Sequence, residues 1–195
     1  MSTLLMVRHG ESTANVAARY TWHDDEPLTE LGRRQARDAG RRLAEHYRPA
    51  HLYCSRFRRA RQTADGIAAE VGLPVMEIDG IQERYFGDLR GKPWAVYREV
   101  VAPLEIEELW RHPAPGGESL VDVARRAAPV VSELAERHPG KQVIVVSHGG
   151  VMAALRAWIA GTWKNRPTHT MNADGFRLER DGAGWRPPQP LFDAT

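Results

Sequence analysis

The sequence is poor in cysteine. Cys54 is the only one in 195 residues, so no disulfide can form within the chain and no thiolate cluster can hold a metal. Long hydrophobic runs are also missing, since none approaches the roughly 20 apolar residues that span a bilayer. The apolar run at 4–7 is too short for the core of a signal peptide. We therefore expect a cytoplasmic protein with no membrane partner.

The sequence also lacks a large excess of positive or negative residues, because 27 basic and 25 acidic residues leave a net charge of +2. Arginines crowd into 33–42 and 56–61, but a nucleic-acid surface needs them on one continuous basic face. The near-neutral total favours solvated helix faces, so no nucleic-acid partner is expected. With 42% hydrophobic and 27% charged residues, the composition is typical of a globular protein.

Motifs typical of several other chemistries are absent. The sequence has no His-x-x-x-His pair for a metal, no Walker-type Gly-x-x-x-x-Gly-Lys and no Gly-x-Ser-x-Gly nucleophile elbow. No Gly-x-Gly-x-x-Gly follows a predicted strand, which argues against a bound dinucleotide. We expect neither a metal nor an organic cofactor.

What the sequence does contain is one arrangement that occurs twice. Two short apolar runs each end in a histidine followed by glycine: 4–7 before His9 and 143–146 before His148. Continuous apolar runs are typical of buried parallel strands. Because ligands bind beyond the carboxyl ends of such strands, both histidines are expected at one pocket.

The remaining pattern alternates strands with helices, which predicts an α/β three-layer sandwich with a mostly parallel central sheet flanked by helices. We expect one domain over 1–195, with an excursion at about 80–117 that caps the site. Further strands are predicted at 52–54, 75–78 and 176–179, the last at an edge, with an irregular tail after Trp185. Helices are predicted at 29–47 with Thr29 as cap, from a Ser55 cap to 72, at 119–137 kinked or split by Pro129, and at 149–159.

The expected pocket suits a dianionic phosphate. A helix begins soon after each histidine, and helix N-termini bind anions through free N–H groups and the helix dipole. Arg8 and an arginine-rich helix start after Cys54 add positive charge. A single strand-end histidine is nonetheless more often a hydrogen-bonded core residue than a catalyst, and the pattern alone leaves both interpretations open.

A set of motifs in chain order extends this arrangement over most of the sequence. It comprises Val7–Ser12, Asn15, Pro27–Gly32, Ser55–Ala64, Glu83–Gly91, Gly116–Ser119 and Ser147–Gly149. Together they resemble the Arg-His-Gly signature and later motifs of the histidine phosphatase superfamily, also called phosphoglycerate mutase-like. Phe57 departs from the pattern, which has leucine there. The resemblance implies a metal-independent phosphomonoesterase that works through a phosphohistidine intermediate on a small phosphorylated metabolite.

The resemblance also implies roles for individual residues. The catalytic set comprises His9 as nucleophile, Glu83 as proton donor, and Arg8, Arg59 and His148 around the phosphoryl group. The substrate-binding set comprises Asn15, Thr21, Arg84 and Gly149. His9 must be neutral to attack phosphorus, and we expect its other ring N–H to bond a backbone carbonyl. The other clustered arginines, Arg56, Arg58 and Arg61, are expected to be solvated.

Two alternatives remain open beside the phosphatase. A cofactor-dependent phosphoglycerate mutase is favoured by the length of 15–28 and by the Glu83-Arg84 pair. It is disfavoured because Trp22 stands where mutases have glycine, Phe86 replaces their tyrosine, and the stretch up to His148 is shorter. A catalytically weak binding or interaction module is disfavoured because all five catalytic positions are occupied.

The identity of the substrate does not follow from the sequence. Trp94, Tyr97 and Trp110 lie in the excursion, where they either line a lid or pack a small core. His23 and Arg84 could touch the rest of the substrate. The interpretation also allows a homodimer.

Overall fold

The computed structural model describes residues 1–21 and 24–192, and the expected three-layer α/β architecture is confirmed. In this part of the chain seven strands form one sheet, in the order β3-β2-β4-β1-β5-β6, with β7 also pairing with β5. The strands are β1 (Ser2–Arg8), β2 (Pro49–Cys54), β3 (Val75–Glu77), β4 (Gln142–Ser147), β5 (Gly175–Asp181), β6 (Gly184–Trp185) and β7 (Gln189–Pro190).

Within the group β1 to β4 all strand pairs are parallel, and β5 runs antiparallel to β1. The register between β1 and β4 places Val7 opposite Val146 and Arg8 opposite Ser147. The next residue of each strand is therefore a histidine at the same level. A backbone hydrogen bond of 3.0 Å from the His9 N–H to the Ser147 carbonyl continues the pairing past the strand end.

Helices cover both faces of the sheet. They are α1 (Thr13–Val16), α2 (Glu30–His46), α3 (Arg58–Val71), α4 (Trp94–Val101), α5 (Ile106–Arg111), α6 (Leu120–Arg137) and α7 (Gly149–Ile159). Along β1, Leu5 and Val7 pack in the same core as α2 and α3, while Leu4 and Met6 pack in the same core as α6 and α7. The continuous apolar run of this strand is explained because both of its faces are buried.

Two helix predictions were wrong in detail. Ser55 does not cap α3, which begins at Arg58 after Phe57 and has no side-chain cap. Pro129 does not split α6, which is continuous over 18 residues. Pro129 removes one helical N–H, but Ala128 and Val131 beside it are buried in the core and hold the helix on the sheet. The cap at Thr29 is confirmed, and the structure adds a cap at Ser119, just before α6.

The predictions for the last strand and the tail were also wrong. β5 is not an edge strand, because it pairs with β1 on one side and with β6 and β7 on the other. The tail is not irregular throughout, since β7 joins the sheet and Leu191 and Phe192 are buried. The guanidinium of Arg42 lies 3.7 Å from the Phe192 ring centre. These two apolar side chains hold the tail against the α2 layer.

Residues 80–117 form a small unit of a 3₁₀ turn (Gly87–Leu89), α4 and α5, with loops between them. Its own apolar cluster contains Leu89, Tyr97 and Ala114, with Tyr20 and Phe86 packed against them. Backbone hydrogen bonds join it to the segment after α1, including Trp94 N–H to the Ala18 carbonyl at 2.9 Å. Over residues 1–21 and 24–192, no helix has the length and apolar character needed to cross a membrane.

Candidate active site

The two strand-end histidines lie side by side. The ring centres of His9 and His148 are 5.2 Å apart, and both side chains are buried. Gly10 follows His9 for a packing reason, because a β-carbon there would come within 2.5 Å of the Gly32 carbonyl oxygen in α2. The glycine therefore lets a helix backbone approach the strand end.

The hydrogen bonds of His9 define its tautomer. Nδ1 lies 2.7 Å from the carbonyl oxygen of Gly10, so this nitrogen carries the proton, and the expected backbone contact is confirmed. Nε2 keeps its lone pair and accepts from Nε of Arg59 at 3.1 Å. Burial, then the charges of Arg59 and Arg8, lower the pKa of His9 well below its ordinary value. The ring is therefore neutral, as a nucleophile must be.

Arg8 and Arg59 place positive charge beside this ring. One terminal nitrogen of Arg8 donates to the Thr170 carbonyl at 2.6 Å and lies 3.1 Å from Nε2 of His169. Burial lowers the pKa of Arg59 to about 10, with Glu83 acting in the opposite direction, so the group stays charged at neutral pH. Nε of Arg8 and Nη1 of Arg59 are buried and have no hydrogen-bond partner among the described residues. Such donors fit the oxygens of a phosphoryl group.

His148 occupies the N-cap position of α7 and is fully buried. Its Nε2 lies 2.9 Å from the Ser55 hydroxyl, which also accepts from the Phe57 N–H at 3.4 Å, just before α3 begins. Burial, followed by the charges of Arg59 and His9, lowers the pKa of His148 well below its ordinary value, so the ring is neutral without substrate. Nδ1 has no partner among the described residues. When Nε2 accepts from Ser55, Nδ1 carries the proton and is a further donor.

Glu83 is held by the first turn of α7. Its Oε1 accepts from the Gly150 N–H at 3.0 Å and from the Arg84 N–H at 2.8 Å. A β-carbon on Gly150 would lie 2.4 Å from that oxygen, so only glycine leaves room for the carboxylate. The helix that follows His148 therefore also positions the expected proton donor.

These residues surround a cavity of about 270 Å³, called the catalytic cavity below. It is lined by Arg8, His9, Ser12, Ala14, Asn15, Arg19, Tyr20, Thr21, Arg59, Glu83, Phe86, Trp94, Arg98, Gly149, Gly150 and His169. Of the expected catalytic residues, His148 alone is not among those that line it; it is fully buried, with its ring centre 5.2 Å from that of His9. The volume is near the lower limit of ligand pockets and suits a small metabolite.

Three of the four expected substrate-binding residues line this cavity: Asn15, Thr21 and Gly149. Oδ1 of Asn15 accepts from the Ser12 N–H and hydroxyl, each at 3.0 Å, so its amide N–H₂ is the group left to meet a ligand. Arg84, the fourth expected substrate-binding residue, does not line the catalytic cavity. It is buried, and its guanidinium donates to the Glu118 carbonyl at 2.7 Å and to the Tyr97 hydroxyl at 2.8 Å. These bonds hold it within the 80–117 unit.

The aromatic residues of the 80–117 unit divide between the two expected roles. Trp94 lines the catalytic cavity. Tyr97 packs in the core of the unit, and Trp110 is buried against Trp163, with ring centres 5.2 Å apart. Among the clustered arginines, Arg56 and Arg58 are exposed and Arg61 pairs with acidic surface residues, as expected. Trp22 and His23 lie outside the described residues.

Several residues around the site were not found from the sequence. The Thr63 hydroxyl accepts from the Gly10 N–H at 3.0 Å and donates to the Arg59 carbonyl at 2.7 Å, so it joins the two sides of the pocket. Asn172 donates to the His9 carbonyl at 2.9 Å. Thr63 lies in the 55–64 motif and could have been found there. The segment containing His169 and Asn172 has no periodicity that would reveal it.

Comparisons with known proteins agree with this geometry. A family model described as histidine phosphatase superfamily (branch 1) matches residues 4–188. A metal-independent phosphoserine phosphatase of Arabidopsis thaliana is 35% identical over 80% of this chain and 67% of its own length. A 2,3-bisphosphoglycerate-dependent phosphoglycerate mutase of Methylorubrum extorquens is 36% identical over 78% of this chain and 76% of its own length. A mycobacterial glucosyl-3-phosphoglycerate phosphatase solved with VO3 superposes with a TM-score of 0.80, at 34% identity, covering 94% of this chain and 96% of that one.

Proposed function

This chain belongs to the histidine phosphatase superfamily, and we propose that its phosphomonoesterase activity proceeds through a phosphohistidine at Nε2 of His9. One observation carries the assignment of this atom. Nε2 is the unprotonated ring nitrogen of a neutral histidine, and it lies beside two buried arginines whose free nitrogens need acceptors. A phosphoryl group supplies those acceptors and the atom that is attacked.

In the first half-reaction the lone pair on Nε2 forms a bond to phosphorus, and the bond from phosphorus to the ester oxygen breaks. Arg8, Arg59 and the Nδ1–H of His148 donate to the three equatorial oxygens, where negative charge accumulates. The leaving alkoxide takes a proton from the Glu83 carboxyl group.

In the second half-reaction the Glu83 carboxylate takes a proton from a water molecule. The resulting hydroxide attacks phosphorus, the bond from phosphorus to Nε2 breaks, and inorganic phosphate leaves. His9 returns to its neutral state, and Glu83 is protonated again for the next turnover. The two arginines supply the positive charge that a metal ion supplies in other phosphatases, so no metal or cofactor enters the scheme.

Replacement of the nucleophile tests this proposal. We expect His9→Ala to lose turnover of p-nitrophenyl phosphate and of alkyl phosphomonoesters, with a circular dichroism spectrum like that of the wild type. His46→Ala is the matched control, because His46 is an exposed histidine in the last turn of α2. Brief reaction with labelled substrate and acid-free quenching should leave label on the wild type and none on His9→Ala. Full activity of His9→Ala would refute the mechanism.

A phosphoglycerate mutase is the second candidate, favoured by the relative of that name. Phe86 argues against it, because it lines the catalytic cavity with an apolar ring where the mutases have a tyrosine hydroxyl. A panel of metabolite phosphates, assayed with and without 2,3-bisphosphoglycerate, separates the two. Release of inorganic phosphate without that compound supports the phosphatase, and isomerisation that depends on it supports the mutase.

We further propose that residues 80–117 act as a cap within a single domain. Phe86, Trp94 and Arg98 of this unit line the catalytic cavity, which supports such a role. The substrate is a small phosphorylated metabolite. A homodimer and a cytoplasmic location remain predictions, which light scattering and cell fractionation test.

A further inference from the structure

Helix α4 presents two different faces. Tyr97 and Val101, four residues apart, pack in the core of the 80–117 unit. Trp94 and Arg98, also four apart, line the catalytic cavity. Because residues four apart share one side of a helix, α4 carries an aromatic ring and a cation together to the substrate.

The four arginines that line the catalytic cavity differ in their partners. Arg19 is held by the carboxylate of Glu26 through two hydrogen bonds, of 2.5 and 2.9 Å. Arg8 and Arg59 lie beside His9 and face the phosphoryl group. Arg98 is exposed to solvent on one side, lines the cavity on the other, and makes no hydrogen bond or ion pair with any residue in the described parts of the chain. Of the four arginines that line the catalytic cavity, Arg98 is therefore the one for which no anionic partner has yet been given.

The charge of Arg98 acts on His169, which also lines the catalytic cavity. Burial, then Arg8, then Arg98, lower the pKa of His169, the residue that contacts Arg8. The dianionic phosphoryl group balances the charges of Arg8 and Arg59. One positive charge of the cavity lining, that of Arg98, then remains for the rest of the substrate.

We propose that the leaving alcohol of the natural substrate carries a carboxylate, which Arg98 binds while Trp94 and Phe86 cover the carbon skeleton. One guanidinium matches one carboxylate in charge and can bind it through two parallel hydrogen bonds. A second phosphate would bring two charges to a single cation. This inference rests on the proposed function, because it assumes that the phosphoryl group lies at His9.

Two matched pairs of substrates isolate the carboxylate. 3-Phosphoglycerate and glycerol 3-phosphate differ by a carboxylate in place of a hydroxymethyl group. O-phosphoserine and O-phosphoethanolamine differ by a carboxylate in place of hydrogen. For at least one pair, we expect wild-type kcat/KM to be higher for the carboxylate ester. Arg98→Gln should lower that value about tenfold while changing the partner ester less than about twofold, and Arg98→Lys should keep part of the preference.

Arg90→Gln is the control, because Arg90 is an exposed arginine of the same unit that lines the neighbouring cavity and stacks on Tyr85. We expect it to leave both esters unaffected. A selective loss of the carboxylate ester in Arg90→Gln would overturn the inference by placing the carboxylate in the neighbouring cavity. Equal losses for both esters in Arg98→Gln, or no preference in either wild-type pair, would also overturn it. Turnover of p-nitrophenyl phosphate that depends on His9 would still support the proposed function in each of these cases, and its absence would refute that function itself.

Discussion

Gly150→Ala should damage the proton donor while leaving the nucleophile in place. The new β-carbon would lie 2.4 Å from Oε1 of Glu83, and ordinary contact begins at 3.4 Å. The carboxylate or the start of α7 must therefore move by about 1 Å. A movement of that size stretches the hydrogen bond from the Gly150 N–H, now 3.0 Å, beyond useful length.

The expected loss follows from the role of Glu83. A displacement of about 1 Å can cost about a hundredfold in rate, and general acids contribute about 10²- to 10⁴-fold. We expect kcat/KM for glycerol 3-phosphate to fall about a hundredfold. For p-nitrophenyl phosphate the fall should be less than about fivefold, because the leaving group needs no proton.

The assay should compare kcat/KM, because this ratio covers only the steps up to formation of the phosphohistidine. Hydrolysis of that intermediate also uses Glu83. If the variant hydrolyses it more slowly, kcat would fall alike for both substrates. Gly149→Ala is the matched control for the ratio between the two substrates, because Gly149 lines the catalytic cavity and its β-carbon, 3.4 Å from Nε of Arg8, would affect both substrates alike. Both variants replace a glycine in the first turn of the same helix, so their effects on helix propensity are similar.

Two results would refute this reasoning. If Gly150→Ala hydrolysed glycerol 3-phosphate within about threefold of the wild type, the carboxylate would not need its present position. If kcat/KM for both substrates fell equally, Glu83 would not act as the acid. Thermal unfolding should show that both variants stay folded, since an alanine in a helix is favoured over glycine by up to about 1 kcal/mol.

Three further predictions concern the residues that support the site. The pKa of His9 and His148 lies well below the unfolded value of about 6.5, so the unfolded chain binds more protons and stability must fall as pH drops below 6.5. Urea unfolding should show the free energy of unfolding falling between pH 7 and pH 5, and His148→Gln should lose less than the wild type; an equal loss in that variant would contradict this. Thr63→Val should lower the free energy of unfolding by about 1–3 kcal/mol, because it leaves a buried N–H unpaired, whereas Thr63→Ser should stay close to the wild type. His169→Ala should lower kcat/KM about fivefold by loosening Arg8, and His169→Gln, which keeps an acceptor, should lower it less; equal loss in the two would show that the contact does not position Arg8.

Much of the site could be predicted from the sequence because its main parts lie at strand ends. An apolar run followed by His-Gly marks both His9 and His148, and the parallel-sheet rule places them at one edge. The caps at Thr29 and Ser119 were predictable for a similar reason, since the local sequence contains both donor and acceptor. These features depend on neighbours within a few residues or on one simple packing rule.

The parts that were missed depend on contacts between distant segments. Ser55 is of a residue type that often caps helices, but α3 begins three residues later, and the Ser55 hydroxyl lies beside His148, 93 positions away. Arg84 follows Glu83 and was expected to face the substrate, but it is surrounded by backbone carbonyls of its own unit. His169 reaches Arg8 from an irregular segment. No local pattern encodes which carbonyl or ring will lie within 3 Å of a side chain after folding.

The position of β1 in the sheet has a consequence for how the chain is made. Both neighbours of β1, the strands β4 and β5, lie in the last third of the chain. During synthesis at about 5–20 residues per second, β1 therefore waits on the order of 10 s for its first partner. Through that interval its apolar faces and unpaired edges are open to other chains, which is a recognised route to aggregation. We expect nascent chains that stop before β4 to depend on chaperones, although the nucleophile directly follows β1.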